Sequence, residues 1–92
     1  MVIMLNELIN MNKDVKNFLC ETIFRDRVAT QSEIIELATQ EGYEENEIYR
    51  ALDIFLYNSL IDQTQGIMPP PVRGDFLISD VQYHEFKIKG YL

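Results

Sequence analysis

Cysteine and histidine each occur once in this chain, and its middle third is almost empty of basic residues. A single Cys20 excludes an intramolecular disulfide. Its neighbours Phe18, Leu19 and Ile23 mark it as a small buried hydrophobe on an inward helix face. No His or Arg pair stands beside it to lower its pKa, and an unpaired thiol fits a reducing cytoplasm, which is the expected location. His84 has no second histidine to complete a metal site, and no Ser-His-acid set can be placed around it. Between Tyr83 and Glu85-Phe86 it reads as an ordinary surface or edge residue. The glycines stand apart at 42, 66, 74 and 90, so no glycine-rich loop cradles a phosphate. The chain is therefore not expected to be an enzyme or to carry a metal or cofactor. Nothing approaches the roughly 18 consecutive apolar residues of a membrane span. The apolar start, Met1 to Leu5, has neither the basic flank nor the length of a secretory signal.

What is present suffices for one core. The 92 residues are 47% hydrophobic and 11% aromatic, which suits a single folded domain and leaves no room for a second. The net charge of −7 is localised. Between Glu33 and Asp62 lie eight acids (Glu33, Glu36, Glu41, Glu44, Glu45, Glu47, Asp53, Asp62) and one base, Arg50; the remaining seven acids and seven bases cancel.

Apolar residues from Leu5 to Ile23 recur at helical spacing. The polar run Asn10 to Asp14 implies either one long helix with a weak middle or a turn followed by a helix from about Lys13. Thr30 and Glu33 have capping-box spacing, and Ile34, Leu37 and Ala38 give the next helix its inward face. Gly42 ends that helix. A third helix begins at Glu44, with Tyr43 and Ile48 placed as a hydrophobic staple and Glu44, Glu45 and Glu47 at the positive end of the dipole. Ile48, Leu52, Phe55, Leu56 and Ser59 trace its buried stripe, and Leu60-Ile61 closes the helix or opens a strand. Pro69-Pro70-Pro71 forms a stiff loop; a wing tip suits it better than a polyproline ligand. Phe76 to Ser79 reads as a strand. The tail from Asp80 fits a short helix capped by Ser79 or Asp80, or an edge strand with Lys87 and Lys89 outward; strand is the preferred expectation.

The spacing Ala38–Gly42–Ile48, continued by Arg50-Ala51-Leu52, Phe55 and Leu60-Ile61-Asp62, resembles the winged helix-turn-helix pattern over about residues 13–79. It departs from that pattern at Ser59, where a glycine is usual. The resemblance implies an α+β fold of three helices followed by a β-hairpin wing, with duplex DNA read by the second helix of the motif. DNA contacts would then fall to Gln31, Ser32, Asn46, Arg50 and Arg73. However, that helix opens with Glu44-Glu45-Asn46-Glu47, whereas DNA presents a negative charge every ~1.7 Å. Tyr49, Asp53 and Tyr57 share a separate helix face, and with Glu44, Glu45 and Glu47 they suit a protein partner with a basic surface. A regulatory or inhibitory protein-binding module is thus preferred over a dimeric DNA-binding regulator. More weakly, Ile34 to Tyr43 is similar to Nif11-type leader segments, implying a peptide precursor, although the Gly-Gly or small-residue cleavage site of such precursors is missing. Met4, Leu8 and Met11 exceed the apolar surface a small domain covers, so a homodimer through the first helix or the C-terminal segment is expected.

Overall fold

The structure, a computed structural model, describes residues 2–63 and 76–92. The expected proline-rich wing tip and Arg73 lie outside the described residues. The fold is mixed α+β. Helices α1 (Val2–Ile9), α2 (Lys13–Cys20), α3 (Gln31–Gln40) and α4 (Glu45–Tyr57) precede strands β1 (Ile61–Gln63) and β2 (Phe76–Ile78), and helix α5 (Asp80–Ile88) follows.

The N-terminal helical stretch breaks at the polar run. Asn12 Oδ1 accepts from the amides of Asp14 at 2.8 Å and Val15 at 3.4 Å, satisfying donors at the start of α2. Helix α2 continues as a π-helical turn over Glu21–Arg25, closed by Arg27 in the left-handed region at φ 62°. Thr30, at the N-cap of α3, makes no side-chain cap bond, so the expected capping box does not form. Its backbone is instead extended and engaged in an isolated β-bridge. Beside it the Phe76 amide donates to the Ala29 carbonyl at 2.6 Å. The chain ahead of α3 is thereby tied to β2.

Three helices end in the same way. After α3, Gly42 (φ 93°) and Tyr43 donate to Thr39 and Ala38; after α5, Gly90 (φ 81°) and Tyr91 donate to Lys87 and Phe86. After α4 the equivalent donors are Ser59 and Leu60, bonded to Leu56 and Phe55, with Ser59 at φ 62°. Each is a Schellman closure requiring one left-handed residue. The Ser59 departure is therefore a strained position, because only its Cβ opposes the turn.

β1 and β2 pair antiparallel in the register Ile61↔Ile78, Asp62↔Leu77, Gln63↔Phe76. The tail is a helix, not the edge strand the alternation suggested. Ser79 Oγ accepts from the Gln82 amide at 3.2 Å, Tyr83 stacks on Phe24 with centroids 4.1 Å apart, and Phe86 is buried. Residues 83 and 86 share a helix face, which strand geometry would split.

The core joins α1, α2, α4 and the strands through Leu8, Leu19, Ile23, Leu52, Phe55 and Ile61, all essentially solvent-free. Leu8 is fully buried and Met11 half-buried against that core; α1 packs on α4 within the chain. Leu8 and Met11 are thus covered largely within the chain, whereas Ile9 of α1 is 41% exposed and the Met4 side chain lies outside the described ones. Lys16 is buried too, its Nζ donating to the carbonyls of Leu8 (3.1 Å), Ile9 (3.4 Å) and Tyr91 (3.0 Å). Three acceptors satisfy all three ammonium protons, and two of them are terminal carbonyls of α1, where the dipole favours a cation. Among the described residues no helix is long and apolar enough to cross a membrane.

Candidate functional site

Helix α4 buries Ile48, Ala51, Leu52, Ile54 and Phe55, and every other position of its first three turns faces solvent. Glu44 is extended at the N-cap and makes no side-chain cap bond; Glu45 and Glu47 occupy the first turn. These carboxylates and Asn46 are all exposed, and their favourable partner is the helix dipole itself. Tyr43, just before the Glu44 N-cap, packs on Phe18 of α2, centroids 5.3 Å apart, and its hydroxyl donates to the Asp14 carbonyl at 3.3 Å. Burial, together with the carboxylates of Asp14, Glu41 and Glu47, raises the Tyr43 phenol above its ordinary pKa.

Four- and eight-residue spacing puts Tyr49, Asp53 and Tyr57 on one side of α4. Asp53 is exposed, Tyr49 is 39% exposed and Tyr57 is 70% exposed. Tyr57 offers ring as well as hydroxyl to solvent, so the structure does not use it as a packing residue. Arg50 is the one base of the acidic stretch; its guanidinium reaches the Glu7 carboxylate at 3.2 Å. Exposed pairs of this kind contribute at most about 1 kcal/mol, yet this one withdraws positive charge from the α4 surface. Under the pair lies a cleft of about 290 Å³ between α4 and the α1–α2 junction, with Met11, Val15, Ala51 and Ile54 as its apolar lining and Glu7, Glu47, Asn10 and Asn12 as polar lining.

Among the described residues, those expected for DNA contact stand beside carboxylates and not on a positive surface. Gln31 is half-buried and Ser32 exposed at the start of α3; Asn46 and Arg50 lie on α4 among the glutamates. Of the bases elsewhere, Lys16 is buried, and Arg25 pairs with Glu21 and Asp26, both at 3.1 Å. Arg27 holds Asp80 through two bonds of 2.8 and 2.9 Å. Hydrogen bonds from Arg25 and Arg27 hold the Asp26 and Asp80 carboxyls below the usual range. Among the described residues no group of three His, Cys, Asp or Glu is placed to hold a metal ion.

Sequence reasoning missed Glu7, Asn10 and Met11, which complete the cleft from more than 35 positions away from Glu47. No local signal marks them, because the contact exists only once α1 lies on α4. Compared with family models, with curated proteins and with solved structures, the chain matches none of them.

Proposed function

We propose that this chain is a winged-helix-like interaction module in which α4 docks on the basic surface of a protein partner, regulating or inhibiting it. The order helix, bridge, helix, helix, strand, strand, with β2 tied back to Ala29, supports the winged arrangement. One observation carries the functional reading: the exposed face of α4 combines Glu44, Glu45, Glu47 and Asp53 with two solvent-facing tyrosines, while its only base is held by Glu7. Such a face repels phosphates. It attracts cationic side chains and offers rigid aromatic area to them. The cleft beside Glu47 suits an arginine or lysine of that partner, with its methylenes on Met11 and Ile54 and its charge toward Glu47, in competition with Arg50 for Glu7.

The test is the triple variant Glu44→Gln, Glu45→Gln, Glu47→Gln, measured against a captured partner and against duplex DNA at low salt. Protein binding predicts slower association and a flatter salt dependence for the variant, with no DNA shift. Operator binding by a dimeric regulator predicts the opposite sign, since losing three carboxylates tightens DNA binding while Arg50→Ala weakens it. Specific DNA binding strengthened in this way would overturn the proposal.

A further inference from the structure

Arg50 stands where the cleft meets the outer face of α4. With Glu47, Ala51 and Ile54 it follows the three- and four-residue steps of one helix side, the side that walls the cleft against Glu7 and Met11. Among the described residues it is the only base lining that cleft. Its side chain is 74% exposed and donates to the Glu7 carboxylate, itself 35% exposed, at 3.2 Å. So exposed a pair adds little to stability, and it breaks readily.

The form of the cleft selects what enters it. Its volume of about 290 Å³ lies at the lower edge of the roughly 300–1,000 Å³ of small-molecule pockets, which suits one side chain better than a cofactor. Val15, Ala51 and Ile54 in its lining are buried apolar residues, and Glu7 and Glu47 are its acids. A guanidinium is planar and weakly hydrated, so it can lie on apolar surface while its fork donates to carboxylates; an ammonium keeps its water. Arg50 already places such a group on Glu7.

We infer that the cleft is a socket for an arginine of the partner, and that Arg50 is its built-in competitor, leaving Glu7 when that arginine enters. The inference deepens the α4 docking reading and rests on it for the source of the arginine. Once released, Arg50 has Asp53 three residues further along the helix as a neighbouring carboxylate. Docking therefore exchanges one exposed ion pair for another and strands no charge.

The probe is the blocked tripeptide N-acetyl-Gly-Arg-Gly-amide, titrated into isotope-labelled protein at fixed ionic strength while the amide shifts of Val15, Ala51 and Ile54 are followed. The parent should show saturable shifts. Arg50→Gln should bind about three to five times more tightly, the worth of one exposed pair, and Glu7→Gln about threefold more weakly. Arg25→Gln makes the same change of net charge outside the cleft and should match the parent; Arg25 and Arg50 are both exposed, so both variants keep the fold. The same peptide with lysine should bind more weakly, and with citrulline, the uncharged isostere of arginine, it should leave the cleft amides in place. Unmoved cleft amides, equal binding of the lysine or citrulline peptide, or equal tightening by Arg25→Gln would each overturn the inference. Shifts confined to Tyr49, Asp53 and Tyr57 would also overturn it and leave the docking reading standing. Docking fails separately if a captured partner is indifferent to Tyr49→Ala and Tyr57→Ala while the cleft still titrates as described.

Discussion

Ser59 and Cys20 are single residues whose chemistry conflicts with or constrains their surroundings. Ser59 performs a task that Gly42 and Gly90 perform without a Cβ, at nearly the same point of each helix closure. Ser59→Gly should therefore stabilise the fold by about 1 kcal/mol, raising Tm by roughly 4–8 °C in calorimetry. Gly42→Ala should move it the other way; nothing lies within 4 Å of the added methyl, so that loss is conformational and not steric. Cys20 gives a pH prediction. Burial pushes its thiol up from 9.0 to about 11, so the folded chain holds this proton more tightly than the unfolded one. The associated stability is complete below pH 9 and disappears as pH rises through 11. In urea titrations, Cys20→Ala should remove about 2 kcal/mol of the decline between those pH values, whatever its effect at pH 7.

Helix α4 divides its work between two faces. Ile48, Leu52 and Phe55 belong to folding; Tyr49, Asp53 and Tyr57 face solvent and are the residues the proposed docking would use. Against a captured partner, Tyr49→Ala and Tyr57→Ala should each cost about 2 kcal/mol in calorimetric titration, a hot-spot magnitude. Tm should barely change for Tyr57→Ala, given its exposure. Unchanged affinity in both variants would leave α4 as a solvated helix. Ile48, Leu52 and Phe55 of the stripe and the acidic first turn of α4 were legible in the sequence because period and dipole preference act within about four residues. Ser59, expected in the stripe, is exposed, while Ala51 and Ile54 are buried beside the stripe. Helix α5 was not legible. Its alternation at Phe86 and Ile88 fits either element, and what decides is the Phe24 ring waiting for Tyr83.

The molecule as a whole is closed by a buried cation. Lys16 on α2 joins the end of α1 to Tyr91 in the tail, so both ends of the described chain meet at one ammonium. Desolvation lowers its pKa, yet three carbonyls hold it. Replacing it by methionine keeps the volume and removes the ammonium donor from the Ile9 and Tyr91 carbonyls, while the Leu8 carbonyl keeps the Met11 amide. Lys16→Met should destabilise the fold by about 2 kcal/mol and speed amide exchange in α1 and residues 86–92 together. Loosening confined to α1 would show that the tail is held by Phe86 and Tyr91 packing instead (ring centroids 5.2 Å apart).

By itself the sequence determined most of the interior face of the helices from Lys13 to Tyr57, the glycine turn at Gly42 and the location of the negative charge. Each follows from short-range rules: side-chain period, backbone freedom and formal charge. Leu37, expected to face inward, is exposed, and the sequence left Leu60-Ile61 open between a helix end and a strand. Tertiary structure alone decided that Lys16 is buried, that Leu8 belongs to the core, that Arg50 is occupied by Glu7 and that the tail is helical. Those outcomes depend on groups tens of residues apart in the chain. Burial, the quantity that separates a binding lysine from a structural one, is defined only after the helices have packed.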